Sequence, residues 1–221
     1  RTGISRKTQG DESVSLLNPM NLNVVAIVQA RMDSRRLPGK VLQPIENKPL
    51  LWHIIIRLKA CRNINRIIVA TSSDNSDNPI ADFCATYSIP CFRGSKDNVL
   101  DRYYQAAQQE RADIIVRITG DSPLIDPVST DKTVQLYLDN RATVDYVSNA
   151  HPPMLPDGLD TEVFSFGTLQ RAWKNATAAY QKEHVTPFIV ESDDFKKISL
   201  KNNIDLSNMR WCVDEPHDIE F

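Results

Sequence analysis

Short runs of β-branched residues alternate with longer segments of helical periodicity along this chain, and that alternation restricts its fold more than any other feature. The runs are VVAIVQ, RIIVAT and DIIVRI. The segments with apolar residues at helical spacing are PLLWHIIIRLKACR, NPIADFCATY and DNVLDRYYQAAQQERA. Strand–helix–strand units of this kind place parallel strands in one sheet and cover the sheet with helices. The sequence therefore predicts an α/β fold with three layers, Rossmann-like and built on a mostly parallel sheet.

The rest of the sequence is predicted to complete one domain with an irregular insertion. A helix is expected around Val128 to Leu138, followed by a strand at DYVSN, and a further strand is expected to end near Val213. Residues 149–197 include the proline-rich HPPMLPDG and are predicted to form an excursion that takes part in dimerisation or in acceptor binding. Residues 1–19 are polar and aperiodic, so we expect a disordered lead or a tag remnant. Residues 20–221 form the predicted domain.

Charge and composition limit the partners of the chain. Its 221 residues carry a formal net charge of -2, which provides no general attraction for nucleic acid or for an anionic membrane. No apolar run approaches the roughly 20 residues that span a bilayer. The cysteines form no C-x-x-C pair and lie in apolar surroundings, as expected of reduced thiols; they are Cys61, Cys84, Cys91 and Cys212. We therefore expect a cytoplasmic protein that binds neither nucleic acid nor membranes.

The loop after the first predicted strand, QARMDSRRLPGK, is unusually basic. It holds four cations within ten residues, together with a serine and one glycine: Arg31, Ser34, Arg35, Arg36, Gly39 and Lys40. Guanidinium and ammonium groups match the charge of a triphosphate, and loops at the carboxyl ends of parallel strands are where ligands bind. The loop has neither the Walker A pattern nor the dinucleotide fingerprint. Its composition alone fits a solvated basic loop equally well, and its position favours phosphate binding.

Two aspartates in predicted loops are candidates for holding a metal ion. Asp121 follows the strand DIIVRI in the segment TGDSPLID, and Asp214 belongs to VDEPHD. Mg²⁺ commonly takes one or two protein carboxylates and fills its other positions with water and substrate phosphate. Taken alone, each aspartate is better explained as a turn or helix-cap residue, and only the pair favours Mg²⁺. Among the histidines, His184 in KEHVTPF is the one candidate for contact with a substrate.

Taken in order, these segments resemble a known family. QARMDSRRLPGKVLQPIENKPLL is similar to the amino-terminal signature of the cytidylyltransferases that activate sugar acids, the CMP-KDO and CMP-acylneuraminate synthetases. The segments that follow resemble the branch typified by the spore coat polysaccharide biosynthesis protein F: IIVATSSDNSDNPIADFC, FRGSKDNVLDRYYQAA, VRITGDSPLIDP, DGLDTEVFSF, EHVTPFI and VDEPHDIE. The resemblance spans nearly everything from Val24 onward.

The resemblance implies a nucleotide-diphospho-sugar transferase fold and a Mg²⁺-dependent enzyme of surface polysaccharide or glycoconjugate synthesis. Such an enzyme transfers CMP from CTP to a sugar acid, releases pyrophosphate and forms a homodimer. The nucleotide-binding residues implied are Ala30, Arg31, Ser34, Arg36, Gly39, Lys40, Thr71, Arg102 and Asp121. Arg31, Lys40 and Asp121 are the implied catalytic residues, and Asp121 and Asp214 the implied metal ligands.

Acceptor binding is the less specific part of the prediction. The candidate substrate residues are Asp157, Asp160, Glu162 and His184, and the three acids are equally well explained as surface acids. The chain also departs from the family pattern at Asn47, where glycine is usual, and at Ser122. Asparagine tolerates the left-handed backbone that a turn requires at position 47. The alternatives are a sugar-1-phosphate nucleotidyltransferase, a glycosyltransferase of the same fold, and a binding module without activity.

Overall fold

The computed structural model describes residues 22–220, so the expectations for residues 1–19 concern a segment outside this range. Its strands are β1 (Val24–Gln29), β2 (Pro44–Ile45), β3 (Lys48–Pro49), β4 (Arg66–Ser72), β5 (Cys91–Gly94), β6 (Ile114–Thr119), β7 (Tyr146–Ser148), β8 (Glu162–Ser165) and β9 (Lys197–Ser199). Its α-helices are α1 (Leu50–Leu58), α2 (Asn78–Thr86), α3 (Val99–Gln109), α4 (Pro127–Asn140), α5 (Phe166–Asn175), α6 (Ala179–His184) and α7 (Pro187–Glu191). Three 3-10 helices cover Lys40–Leu42, Asn75–Asp77 and Pro216–Ile219.

Seven strands form one central sheet in the order β5-β4-β1-β6-β8-β7-β9. β1 pairs in parallel with both β4 and β6, and β4 pairs in parallel with β5. β8 is antiparallel to β6 and β7, which makes the sheet mostly parallel. The predicted α/β fold is confirmed, and the expected strands over VVAIVQ, RIIVAT, DIIVRI and DYVSN all form within a residue or two of their predicted bounds.

Helices cover both faces of this sheet, because the side chains of β1 alternate between two buried clusters. Val24, Ala26 and Val28 join one cluster, which includes apolar residues of α1, α2 and α4. Val25 and Ile27 join the other, which includes residues of α3, α5 and α7. A strand buried on both faces reads as a continuous apolar run, which is why β1 was recognisable from sequence. The three predicted layers are confirmed.

The structure corrects two details of the sequence prediction. No strand ends near Val213: the chain there forms an isolated bridge between Asp157 and Arg210, and the Val213 N-H donates to the Asp121 carbonyl. The segment 149–197 is not an excursion along its whole length, since it contributes β8 to the middle of the central sheet. β2 and β3 form a separate two-stranded ribbon whose turn includes Asn47 at φ 64°, the left-handed conformation expected there. No helix within residues 22–220 has the length and apolar character needed to cross a membrane.

Candidate active site

A cleft of about 470 Å³ opens at the carboxyl ends of β1 and β6. These strands are parallel neighbours, so the loops that follow them meet at one edge of the sheet. Gly120 permits this contact: a Cβ there would lie 2.5 Å from the carbonyl oxygen of Gln29 at the end of β1. The cleft brings together most of the residues predicted for a nucleotide and metal site: Ala30, Arg31, Ser34, Arg36, Lys40, Arg102, Asp121, His184 and Asp214.

The loop after β1 is held in shape by backbone hydrogen bonds. The Gly39 N-H donates to the Met32 carbonyl at 2.7 Å, which closes the loop, and Gly39 adopts φ 73°, a conformation that favours glycine. The Met32 N-H donates to the carboxylate of Asp77 at 2.7 Å. Asp77 is buried and also accepts the N-H of Ser72 at the end of β4. The loop is therefore anchored to β1, which it follows, and through Asp77 to the end of β4.

Three guanidinium side chains of this loop remain exposed at the cleft. They belong to Arg31, Arg35 and Arg36. Exposed guanidinium groups at the edge of a closed, anchored loop can contact a polyanion, and one of the three, Arg36, also pairs with Asp214. This geometry supports phosphate binding over a merely solvated loop.

Lys40 is buried at the base of the cleft, and its ammonium group joins the two predicted metal ligands. Its Nζ donates to Asp214 Oδ1 at 2.7 Å, to Asp121 Oδ2 at 3.2 Å and to the Val213 carbonyl oxygen at 2.8 Å. An ammonium has three hydrogens, so Lys40 is fully satisfied. Asp121 and Asp214 therefore converge on one point in space, as their pairing from the sequence predicted.

Asp214 is surrounded by further cations. Arg36 lies 2.8 Å and Arg210 3.3 Å from its Oδ2. Burial opposes ionisation of Asp214, but the hydrogen bond and charge of Lys40, together with Arg210 and Arg36, outweigh it and hold the pKa of Asp214 below its usual range. This carboxylate is therefore ionised and fixed in orientation at neutral pH.

Arg210 and Asp218 support Asp214 from behind, and sequence reasoning missed both. The Arg210 guanidinium donates to both carboxylate oxygens of Asp218, at 2.7 and 2.9 Å. Asp218 in turn accepts the backbone N-H groups of Asp214 and Glu215. These bonds hold the pKa of Asp218 well below its usual range, the hydrogen bond from Arg210 being the largest cause. The signal in the sequence was the E-P-x-D pattern, in which Asp218 caps the 3-10 helix.

Two polar residues mark the inner part of the cleft. Arg102 is 2% exposed and donates through Nη1 to the Ser95 carbonyl oxygen at 2.8 Å, while its Nε has no hydrogen-bond partner in the described part of the chain. The Oε1 atom of Gln29 is likewise buried and unpartnered there, and Gln29 was not among the predicted residues. Of the other nucleotide-binding candidates, Gly39 shapes the loop and Thr71 is fully buried in β4, and neither lines the cleft.

The predicted acceptor residues divide between two places. His184 lines the first cleft, at the end of α6. Asp157, Asp160 and Glu162 line a second cavity of about 290 Å³, which shares Thr119 with the first. The second cavity therefore adjoins the first cleft at the end of β6.

The three acids of the second cavity have different surroundings. Glu162 is buried, pairs with Arg117 and accepts a hydrogen bond from the Tyr146 hydroxyl at 2.5 Å. Burial opposes its ionisation, but the charge of Arg117 and these hydrogen bonds lower the pKa of Glu162. Burial and the negative charge of Asp157 raise the pKa of Asp160 to about 6. Glu162 is thus a paired core residue rather than a surface acid. Asp160 is the acid whose negative charge is least offset by neighbouring cations.

The carboxylates at Lys40 fit a hard divalent cation. Within residues 22–220 no three His, Cys, Asp or Glu side chains are grouped to hold a metal ion. Asp121 and Asp214 nevertheless both contact the Lys40 ammonium at the base of a cleft lined with arginines. Mg²⁺ needs only one or two such carboxylates when phosphate and water supply its other ligands. The residues present therefore fit Mg²⁺ bound together with a phosphate ligand.

Known proteins are similar to this chain over most of its length. The sequence model of the family described as cytidylyltransferase matches residues 25–214. An uncharacterized protein of Methanocaldococcus jannaschii is 42% identical over 177 residues, 80% of this chain and 71% of that protein. The spore coat polysaccharide biosynthesis protein SpsF of Bacillus subtilis is 32% identical over 172 residues, 76% of this chain and 70% of that protein.

A further relative and one solved structure are also similar. The 3-deoxy-manno-octulosonate cytidylyltransferase of Geobacter sulfurreducens is 32% identical over 123 residues, 55% of this chain and 48% of that protein. The solved structure is that of a cytidylyltransferase from Leptospira borgpetersenii. It superposes with a TM-score of 0.86 at 32% identity, covering 89% of this chain and 83% of that chain.

Proposed function

The chain belongs to the cytidylyltransferase family, and on that basis we propose that it transfers CMP from CTP to a sugar acid and releases pyrophosphate. The observation that carries this proposal is the convergence of Asp121, Asp214 and Lys40 beneath an anchored loop with three exposed arginines. Negative phosphate oxygens and a divalent cation are the ligands that this mixture of fixed positive and negative charge accommodates together.

In the proposed reaction a hydroxyl oxygen of the acceptor attacks the α-phosphorus of CTP, and the bond from that phosphorus to the oxygen bridging to the β-phosphate breaks. Pyrophosphate leaves with the bridging oxygen, and the hydroxyl proton passes to solvent. Arg31, Arg36 and Lys40 hold the triphosphate and stabilise the charge that develops on the departing pyrophosphate. Bound Mg²⁺ supplies further charge neutralisation at the phosphate oxygens. Asp121 and Asp214 would hold it, with Arg210 and Asp218 fixing the direction of Asp214. Catalysis then depends on positioning and electrostatics, without a covalent intermediate on the protein.

The acceptor is proposed to occupy the second cavity. Thr119 lies at the boundary of the two spaces, so a molecule in the second cavity would approach the nucleotide at the end of β6. A sugar acid is proposed because the motifs resemble synthetases for such acceptors and because one relative is named a 3-deoxy-manno-octulosonate cytidylyltransferase.

Pyrophosphate release tests this proposal directly. The purified protein is incubated with Mg²⁺, one nucleoside triphosphate and a panel of eight- and nine-carbon sugar acids, and CTP is compared with ATP, GTP and UTP. We expect release with CTP and at least one acid. Asp121→Asn should lower the rate by about two to three orders of magnitude, while Asp193→Asn, an exposed acid outside both cavities, should leave it unchanged. Absence of both pyrophosphate release and CTP binding would overturn the proposal.

A further inference from the structure

Lys40 is nearly buried, and its ammonium group is fully hydrogen-bonded within the protein. Its side chain is 10% exposed, and each of its three ammonium hydrogens has an acceptor within 3.2 Å. Two of those acceptors, Asp121 and Asp214, are the carboxylates proposed to hold the metal ion. The Lys40 ammonium therefore lies between the same carboxylate oxygens that a divalent cation would use.

We propose that Lys40 is a built-in counterion, which occupies the cation position between Asp121 and Asp214 and leaves it only when a nucleotide supplies phosphate oxygens to its ammonium group. The inference rests on the metal role given to the two aspartates in the proposed function. Its consequence is that metal and nucleotide bind together, and that the nucleotide-free protein has little affinity for Mg²⁺.

The surrounding contacts show why Lys40 alone can have this role. Arg36 and Arg210 contact Oδ2 of Asp214, and within residues 22–220 neither forms an ion pair with Asp121. Lys40 is the residue that contacts both carboxylates. Without it, two negative groups would face each other in a partly buried place, which is unfavourable until another cation separates them.

Departure of Lys40 is unfavourable in the absence of phosphate. Its ammonium would give up three acceptors at once, and the Val213 carbonyl oxygen would lose the hydrogen bond that Lys40 now donates. Lys40 also lines the cleft, beneath the loop that carries Arg31 and Arg36. Phosphate oxygens placed there would accept hydrogen bonds from the Lys40 ammonium, and the divalent cation would take the place of Lys40 between the carboxylates.

Metal binding by the nucleotide-free protein tests the inference. Mn²⁺, which takes carboxylate ligands as Mg²⁺ does, is titrated into wild type, Lys40→Met and Lys40→Gln, and free Mn²⁺ is measured by electron paramagnetic resonance. We expect both Lys40 variants to bind Mn²⁺ on the order of tenfold or more tightly than wild type, because a neighbouring positive charge is removed. Lys96→Met is the matched control: it also removes one cation, paired with Asp33, and should leave Mn²⁺ binding unchanged. Equal Mn²⁺ affinity in wild type and the Lys40 variants would overturn the inference.

A second measurement uses wild-type protein and does not depend on the folding of a variant. A lysine ammonium with three fixed acceptors gives an observable side-chain signal in a ¹H–¹⁵N spectrum. Millimolar Mg²⁺ alone should leave the Lys40 signal in place, and Mg²⁺ with CTP should shift it. A shift with Mg²⁺ alone would contradict the inference. The two proposals can fail separately. Turnover of CTP with unchanged Mn²⁺ binding in the Lys40 variants would reject only the counterion role of Lys40. Tighter Mn²⁺ binding in those variants without turnover of CTP would reject only the proposed function.

Discussion

Replacement of Asp218 by asparagine removes one defined part of the site. Both backbone N-H groups that Asp218 accepts, those of Asp214 and Glu215, bond to Oδ2, and Arg210 bonds to both oxygens. An asparagine would keep its one oxygen toward the backbone donors and turn its NH₂ group toward Arg210. Arg210 Nη1 would then face a donor and lose its acceptor, while Nη2 could keep the remaining oxygen, so Asp218→Asn is expected to loosen Arg210 while preserving the local backbone.

The expected magnitude follows from the contacts that are lost. A hydrogen bond to a charged partner contributes about 1.5–3 kcal/mol when sheltered. Arg210 is 37% exposed, so we expect a loss of only about 1–2 kcal/mol in the free energy of unfolding. For a domain of this size, that loss lowers Tm by about 2–8 °C. Arg210 also contacts Asp214, the proposed metal ligand, and loss of a supporting contact behind a metal ligand typically weakens metal affinity by about 10–100-fold.

Two assays separate these effects. Thermal unfolding by circular dichroism measures the change in stability, and pyrophosphate release from CTP at varied Mg²⁺ measures the half-saturating metal concentration. Asp205→Asn is the control, because Asp205 is exposed and bonds only to Ser207 among the described residues. The reasoning is refuted if Asp218→Asn matches this control in both Tm and half-saturating Mg²⁺.

Three further predictions concern single side chains. Asp160→Asn should stabilise the protein at pH 7, because the folded-state pKa of Asp160 is raised to about 6. The destabilising charge of Asp160 is complete above pH 6 and absent near pH 4. Urea unfolding at pH 7 and pH 4 should therefore show a gain in stability at pH 7 that vanishes at pH 4. Arg117→Met should lower the free energy of unfolding by about 3–5 kcal/mol, because it leaves Glu162 buried without its cation. Urea unfolding measures this loss, and a loss below about 1 kcal/mol would contradict the pairing argument. Arg36→Ala should weaken CTP binding about tenfold in calorimetry with Mg²⁺ present and leave Tm unchanged, whereas unaltered affinity would exclude Arg36 from the triphosphate site.

The strands predicted from sequence are those whose burial is visible locally. β1 sends alternate side chains into two clusters, so every position is apolar except its last, Gln29. β8 was missed because it has only four residues and begins with Glu162. That glutamate is compatible with the core because Arg117 on β6 pairs with it, 45 positions earlier in the chain. The strand predicted near Val213 was wrong, because this stretch is fixed by side-chain contacts such as those of Arg210 and not by a ladder of backbone bonds.

In the site, too, features visible in the local sequence were predicted, and contacts between residues distant in sequence were not. Position at a strand end brought the basic loop and Asp121 together, because parallel neighbours deliver their loops to one edge of the sheet. Gln29 was missed because the end of an apolar strand does not by itself mark a cleft residue. Arg210 was missed because an exposed arginine does not by itself mark a residue that supports Asp214. The burial of Lys40 was equally invisible, because its three acceptors lie 81 or more positions away in the sequence.

A crystal structure of the protein soaked with CTP and Mg²⁺ would show the nucleotide, the metal ion and Lys40 together. We expect the triphosphate against the loop of residues 30–40, a metal ion between Asp121 and Asp214, and the Lys40 ammonium moved from these carboxylates to phosphate oxygens. A nucleotide bound away from this cleft, or a triphosphate bound in it with no metal at the two aspartates, would rule out the proposed site.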